Sequence, residues 1–287
     1  MRARAPASSA NLGPGFDALA LALELYVEVE VEPAPRLVVR AEGEGAGLAT
    51  DASNLAVQVA MGVAGHDHLS VTVRSSIPVG RGLGSSAAVA AAAAAAAGAA
   101  DPLAVAVQSD GHPENAAASV LGGLVSATMV AGTPVAVPLP LDQGLVFVVL
   151  VPDRPLPTSR ARQALASQVS LADAAFNLGR MGLLMGGLAD RRLLVREATE
   201  DRLHQAARSP LFPEASQLMT GLERAGARAA CWSGAGPSVM GICDADAGPA
   251  VRDAGQDLLG RAGVPGRALL VRADTRGLVV GGSGQRR

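Results

Sequence analysis

The sequence predicts an α+β fold. Two segments, residues 21–31 and 69–75, alternate apolar and polar side chains, which is typical of half-buried strands. A run rich in alanine at 86–100 predicts a helix, because alanine is the best helix former. Strands and helices follow one another without strict alternation, so an α+β arrangement fits better than a doubly wound parallel sheet.

The remaining elements follow from the same periodicities. Asp101-Pro102 both ends the alanine-rich helix and caps the next one, and a further short helix follows the loop at 111–115. The other predicted helices span 54–65, 102–110, 159–167, 171–188, 190–198, 214–225 and 247–263. The other predicted strands are apolar or alternating and span 37–40, 124–130, 145–151, 228–233, 237–243 and 267–272.

Composition excludes several function classes. The chain has 287 residues and a net charge of −2, so it has no general attraction for phosphate backbones or anionic membranes. Six aromatic residues offer little surface for stacking on nucleic-acid bases. Every basic residue apart from histidine is arginine, which excludes a Schiff-base lysine and the lysine of a Walker A loop. The alanine run is too short and too weakly apolar to span a membrane, and no secretory signal precedes it, so we expect a cytoplasmic protein.

The cysteines and histidines predict no metal site or disulfide framework. Cys231 and Cys243 do not match a usual zinc-ligand spacing, and we expect two buried, reduced thiols. The pair His66 and His68 lies in a predicted loop, where a solvated turn is the simpler interpretation. His204 is expected among charges at a helix end.

A glycine-rich loop precedes the alanine-rich helix and predicts a phosphate site. Gly80, Gly82 and Gly84 allow a tight turn whose N–H groups point inward. Ser85 and Ser86 then open the helix, where free amides and the positive end of the helix dipole favour an anion.

The complete string resembles a family motif. Residues 78–88 resemble the phosphate-binding motif P-x-x-x-G-L-G-S-S-A-A of the galactokinase, homoserine kinase, mevalonate kinase and phosphomevalonate kinase superfamily. The resemblance implies ATP as the phosphoryl donor. The residues it implies for nucleotide binding are Pro78, Gly80, Arg81, Gly82, Leu83, Gly84, Ser85, Ser86, Ala87 and Ala88, together with Asn54 toward the adenine.

Further segments resemble homoserine kinases in particular. Residues 6–17 resemble that family's N-terminal substrate segment, which implies that Asn11 and Asp17 contact the hydroxyl and the amine of homoserine. Residues 112–115 followed by two glycines resemble H-P-D-N…G-G, so Asn115 takes the place of a substrate-binding asparagine.

Segments in the second half of the chain also resemble homoserine kinases. Residues 158–162 resemble T-x-x-A-R, which implies that Arg162 binds the substrate carboxylate and that Thr158 lies near the transferred phosphoryl group. Arg208 matches a second carboxylate-binding arginine, and residues 233–238 resemble a glycine loop that supports the active site. We therefore expect Asn11, Thr158 and Arg162 to be the catalytic residues.

Two departures from the family pattern concern the metal and one arginine. In the family an acidic residue four positions before the histidine is expected to bind Mg²⁺, and here that position is Gln108. A neutral amide is a poor Mg²⁺ ligand, so Asp110 and Ser86 are the expected metal ligands, with Glu114 the other nearby acid. Residues 205–208 read Gln-Ala-Ala-Arg instead of Gln-Pro-Tyr-Arg, which weakens the assignment of Arg208.

The resemblance also implies an architecture and a function. It implies a domain like ribosomal protein S5 over residues 1–155, a ferredoxin-like domain over 156–287, and a homodimer. The function implied is ATP-dependent phosphorylation of the L-homoserine hydroxyl in threonine biosynthesis. Two alternatives stay open: another small-molecule kinase of the superfamily, and a weakly active protein that binds a nucleotide or an amino acid, which the amide at position 108 favours.

Overall fold

The computed structural model describes residues 1–281 and contains two sheets with helices packed against them. The first sheet has seven strands: β1 (Arg2–Asn11), β2 (Gly15–Pro33), β3 (Val38–Gly43), β4 (Leu69–Ser75), β5 (Leu124–Val130), β6 (Thr133–Leu139) and β11 (Val279–Gly281). Its main order is β11-β1-β2-β4-β3, and the β5–β6 hairpin pairs with β2. The pairs are antiparallel except for β3 and β4, which run parallel.

Four helices pack with this sheet: α1 (Leu55–Ala64), α2 (Ser85–Ala96), α3 (Pro102–Asp110) and α4 (Pro113–Leu121). Helix α2 contacts β1, β2 and the other three helices, so Ala87–Ala96 are all buried. Small side chains let these neighbours approach closely, which is why the helix is almost entirely alanine. The predicted helix at 86–100 is confirmed, although it ends at Ala96.

The second sheet has four antiparallel strands in the order β10-β7-β9-β8. They are β7 (Leu145–Pro152), β8 (Ala229–Trp232), β9 (Val239–Asp244) and β10 (Gly266–Val271). The helices of this half are α5 (Thr158–Gln163), α6 (Leu171–Ala189), α7 (Gln205–Arg208), α8 (Ala215–Arg224) and α9 (Gly248–Arg261). Every residue of β7 is buried, as its continuous apolar run predicts. Within residues 1–281 no helix combines the length and the apolar character needed to cross a membrane.

Several elements differ from the sequence prediction, including α7 and β11, which it does not contain. Strand β1 was not predicted, because its small residues are buried on both faces and show no alternation. Strand β6 was also not predicted, because its two prolines argue against a strand. Proline is tolerated here because β6 pairs only with β5, at the edge of the sheet. The helix predicted over 190–198 is wrong: short 3₁₀ turns at Arg191–Leu193 and Arg196–Thr199 occupy the segment.

The two sheets do not separate at residue 155. Strand β7 ends at Pro152, yet it lies in the second sheet, while β11 returns from the C-terminal half to pair with β1. The change between sheets along the chain therefore falls between β6 and β7. The division at 1–155 and 156–287 remains a proposal, and its last six residues lie outside the described part of the chain.

Candidate active site

A cavity of about 580 Å³ collects most of the predicted site residues. Its wall includes residues of the β1–β2 turn, the glycine loop, the start of α4, helix α5 and the loop after β8. The predicted residues that line it are Asn11, Asp17, Asn54, Gly80, Arg81, Gly82, Leu83, Gly84, Ser85, Ser86, Asp110, Asn115, Thr158, Arg162 and Arg208. Pro78, Ala87 and Ala88 do not line it; they are buried and support the loop and the helix.

The glycine loop has the backbone that a phosphate cradle needs. Gly80, Gly82 and Gly84 all have positive φ, at 68°, 73° and 61°, where other residues are strained. Gly84 is the N-cap of α2 and has no side chain to occupy the helix amides. The helix first accepts an internal bond at Gly84 O, from Ala88 N. The N–H groups of the first turn therefore point toward the cavity wall that Ser85 and Ser86 line.

The loop is held from behind by the 233–238 segment. The Ser233 hydroxyl donates to Gly82 O at 2.7 Å and lies 2.8 Å from Ser9 Oγ in β1. The Ser8 backbone N–H donates to Leu83 O. The loop is thus held by hydrogen bonds from β1 and from the segment after β8.

The Arg81 guanidinium is occupied by backbone carbonyl oxygens, so it is not free to bind a phosphate. Its guanidinium donates to the carbonyl oxygens of Val79, Pro152 and Asp153. This ties the loop to the end of β7. The contribution of Arg81 to nucleotide binding is therefore expected through its backbone.

The side of the cavity next to the glycine loop is apolar and has the character of a base-binding surface. It is lined by Leu48, Ala49, Leu55, Val73, Val79 and Val89. Asn54 lies there as the N-cap of α1, with Oδ1 accepting from Ala56 N and Nδ2 donating to Ala49 O. Its amide shapes this wall, and an adenine contact remains a prediction.

Asp17 and Arg162, which both line the cavity, form a bidentate ion pair. Arg162 Nη2 lies 2.9 Å from Asp17 Oδ1, and Arg162 Nη1 lies 3.1 Å from Asp17 Oδ2. The hydrogen bonds that Arg162 donates to the Asp17 carboxylate raise the pKa of Arg162, which stays charged. Both side chains are partly open to the cavity, so an anion and a cation stand together where a zwitterion could engage each of them.

Arg208 is a buried cation in the same wall. It is 2% exposed, and its guanidinium donates to Gly234 O at 3.2 Å. Burial lowers its pKa to about 10, so it remains protonated at neutral pH. Despite the changed residues before it, the arginine predicted from the family pattern reaches the cavity.

Two asparagines organise the polar wall between these groups. Asn11, in a left-handed conformation with φ 70°, donates from Nδ2 to Gly234 O and accepts from Asp17 N. Asn115 accepts from Ser8 Oγ at 2.9 Å and donates to Glu114 Oε1 at 3.1 Å. Both line the cavity, and each keeps hydrogen-bonding capacity for a ligand.

Position 110, and not position 108, places a carboxylate in the wall of the cavity. Gln108 is exposed on α3 and lines a separate surface pocket, whereas Asp110 lines the active-site cavity. Asp110 Oδ2 lies 3.4 Å from His112 Nδ1, and the hydrogen bond from His112 to Asp110 raises the pKa of the histidine. Gln108 is therefore not part of the cavity wall, and Asp110 as a metal ligand remains a prediction.

Ser86 and Asp110 offer oxygen donors of the kind that Mg²⁺ prefers. A site with one or two protein ligands completed by nucleotide phosphates suits this cation, and among the described residues no cluster of three or more His, Cys, Asp or Glu could form a complete protein cage. Glu114 is a further acid in the wall, only 2% exposed, and burial raises its pKa.

Sequence reasoning missed two residues that contact side chains of this wall without lining the cavity themselves. His204 accepts a hydrogen bond from Arg208, and the Phe16 ring lies near the guanidinium groups of Arg162 and Arg208. As expected, His204 lies at a helix end among charged groups, Asp201 and Arg208, and it is also fully buried. The signal that could have found it is its place four residues before Arg208, which puts both on one face of a helical turn.

The sequence matches both domains of one kinase family. It matches the GHMP kinases N terminal domain over residues 48–123 and the GHMP kinases C terminal domain over residues 174–259. The crystal structure of homoserine kinase from Cytophaga hutchinsonii superposes with a TM-score of 0.85 at 24% identity, covering 97% of this chain and 96% of that one. The α+β fold, with an S5-like N-terminal and a ferredoxin-like C-terminal domain, is thereby confirmed.

Relatives with assigned functions indicate which kinases within this family the chain resembles most. Homoserine kinase from Streptomyces coelicolor is 42% identical over 264 residues, which covers 86% of this chain and 85% of that protein. Homoserine kinase from Thermus thermophilus is 42% identical over 150 residues, covering 52% of this chain and about half, 51%, of that protein. On its two matched domains and its relatives, the chain belongs to the homoserine kinases of the GHMP kinase superfamily.

Proposed function

We propose that the chain transfers the γ-phosphoryl group of ATP to the side-chain hydroxyl of L-homoserine, giving O-phospho-L-homoserine for threonine biosynthesis. The observation that carries the proposal is one cavity that holds both a phosphate cradle and the Asp17–Arg162 pair. Homoserine carries an ammonium, a carboxylate and a primary hydroxyl, and this wall offers a partner for each of them. The family membership supports the same reaction.

The part of the cavity that would bind ATP acts by neutralising and orienting the phosphate charges. Phosphoryl transfer passes through a loose transition state, so positioned donors matter more than a strong base. The amides of the glycine loop and the first turn of α2 would hold the phosphates, while the apolar wall receives the base. Because the loop is already braced by Ser233, little ordering cost falls on nucleotide binding.

The acceptor half would orient the amino acid. Asp17 would take the ammonium, and Arg162 with Arg208 would take the carboxylate by guanidinium forks. Asn11 and Asn115 would place the hydroxyl toward the γ-phosphate, with Thr158 at the start of α5 near the transferred group. These contacts fix the distance and the in-line direction of attack.

Magnesium would bind next to the phosphates on Ser86 and Asp110, where it would neutralise phosphate charge. The carboxylate assignment leads to a prediction. Asp110→Asn should raise the Mg²⁺ concentration for half-maximal rate by about tenfold or more, since a carboxylate–cation contact is lost. Magnesium titrations of the initial rate at fixed ATP test it.

The matched control for that variant lies on the same helix. Gln108→Ala should leave the magnesium titration unchanged, because Gln108 faces away from the cavity. A shifted titration in Gln108→Ala with none in Asp110→Asn would refute the assignment.

The family also supports a cytoplasmic homodimer as part of the proposal. Light scattering on the purified chain tests the oligomeric state: a mass near twice 28.7 kDa is expected, and a monomer at working concentration would contradict it.

An acceptor panel tests the activity. ADP release with ATP and Mg²⁺ is measured with L-homoserine, mevalonate, L-threonine and L-serine in parallel. We expect the highest kcat/KM for L-homoserine, because only this compound matches the charge pair and the reach to the phosphate together. Preference for mevalonate would indicate a different kinase of the superfamily, and ATP binding without turnover would indicate a binding protein.

A further inference from the structure

His204 contacts two parts of the acceptor wall at once. It precedes the short helix α7 and is fully buried. Its Nε2 lies 2.8 Å from Gly13 O in the β1–β2 turn, and its Nδ1 lies 2.9 Å from Arg208 Nη1. A carbonyl oxygen only accepts and a guanidinium only donates, so the ring must donate from Nε2 and accept at Nδ1.

This hydrogen-bond pattern requires a neutral imidazole with one tautomer. Burial lowers the pKa of His204 to about 4, which keeps the ring neutral at physiological pH. The backbone around it is fixed by Asp201, whose carboxylate accepts from the N–H groups of Leu203, His204 and Gln205. The ring therefore reaches Arg208 from a rigid support.

The same imidazole also packs on the start of β2, which carries Asp17. Phe16 stacks on His204 with ring centroids 5.2 Å apart, and the guanidinium carbons of Arg162 and Arg208 lie 5.7 and 5.6 Å from the Phe16 ring centre. The buried His204 ring thus contacts both the start of β2, which holds Asp17, and the helix that holds Arg208.

We propose that His204 is a positioning residue: its Nδ1 holds the Arg208 guanidinium in the orientation that receives the carboxylate of the acceptor amino acid. This inference rests on the proposed function, since it assigns a carboxylate to Arg208. His204 does not line the cavity, so it would act through Arg208 and not by touching the substrate. Its contribution is to substrate affinity and selectivity for the carboxylate.

Two amide variants separate the two hydrogen bonds of the ring. In His204→Asn the amide oxygen can occupy the place of Nδ1 and still accept from Arg208. In His204→Gln the amide nitrogen can occupy the place of Nε2 and donate to Gly13 O, but the acceptor for Arg208 is lost. We expect His204→Gln to raise KM for L-homoserine about tenfold or more, with KM for ATP changed less than about twofold. In His204→Asn, the KM values for L-homoserine and for ATP should both stay within about threefold of the wild type.

A substrate lacking the carboxylate tests whether the effect passes through Arg208. The compound 3-aminopropan-1-ol keeps the amine and the hydroxyl of homoserine. Its kcat/KM should be the same in the wild type and in His204→Gln. In an Arg208→Ala background, adding His204→Gln should lower kcat/KM for L-homoserine by less than about twofold, because the group that His204 positions is gone.

The outcomes are distinguishable. Equal losses in His204→Asn and His204→Gln, for L-homoserine and 3-aminopropan-1-ol alike, would show a purely structural role and overturn the inference, as would full additivity with Arg208→Ala. A wild-type protein without turnover on L-homoserine would instead overturn the proposed function, before any variant is compared.

Discussion

Replacing Arg162 with leucine is expected to raise KM for L-homoserine by about a hundredfold while KM for ATP stays near the wild-type value. The fork that would bind the carboxylate is lost, and hydrogen bonds to charged groups contribute about 1.5–3 kcal/mol each. The variant should fold normally, since the Arg162 side chain is 48% exposed and its ion pair with Asp17 is an open one. Initial rates over a matrix of both substrates measure the two KM values.

Helix α5 supplies a matched control for this variant. Arg160→Leu removes a second exposed arginine two residues earlier, and Arg160 does not line the cavity. Its kinetics should match the wild type. If Arg160→Leu and Arg162→Leu lost activity equally, general electrostatics would explain the result and the specific role of Arg162 would be rejected.

Replacing Gly82 with alanine is expected to lower kcat/KM for ATP by about a hundredfold or more. Gly82 has φ 73°, and a Cβ built on it would collide with Ser233 O and lie 2.9 Å from Gly236 N. These are backbone atoms, so the two glycine loops must separate. Displacement of a phosphate cradle by about 1 Å is enough for a loss of this size. ATP titrations of the initial rate measure it.

The control for Gly82→Ala has the same backbone strain without the collision. Gly65 follows helix α1 with φ 76°, and a Cβ built there meets no heavy atom within 4 Å. Gly65→Ala should lower the melting temperature slightly, at a cost of about 1 kcal/mol, with ATP kinetics unchanged. Normal ATP kinetics in Gly82→Ala would show that the loop contact with Ser233 does not shape the nucleotide site.

The parts of this fold that sequence could predict are those that local pattern determines. The glycine loop and the start of α2 are contiguous, so their residues and their conformations are predictable together. The prediction of a helix over 190–198 rested on an apolar spacing that suits a helix. It was wrong because Asp190 caps a short 3₁₀ turn, and a second 3₁₀ turn follows it. Strand β1 has no local signal at all, since burial on both faces by neighbouring layers determines it.

The acceptor wall depends on contacts that no local pattern contains. Asp17 and Arg162 are 145 residues apart, and only resemblance to a family suggested that they share a site. The metal ligands stay a prediction: the family's acidic position falls on Gln108, which lines a separate surface pocket, whereas Asp110, the expected ligand, lines the cavity. The contact of His204 with Gly13 has no local signal, because the two residues are 191 positions apart in the sequence.

The central claim is that one cavity transfers a phosphoryl group from ATP to an amino-acid hydroxyl. Phosphorus NMR of a reaction with ATP, Mg²⁺ and L-homoserine tests it most directly, because ADP release alone cannot separate transfer from hydrolysis. We predict one new phosphomonoester resonance that grows in step with ADP and requires L-homoserine. ADP accompanied by inorganic phosphate without a phosphomonoester, or unchanged ATP despite binding, would contradict the account.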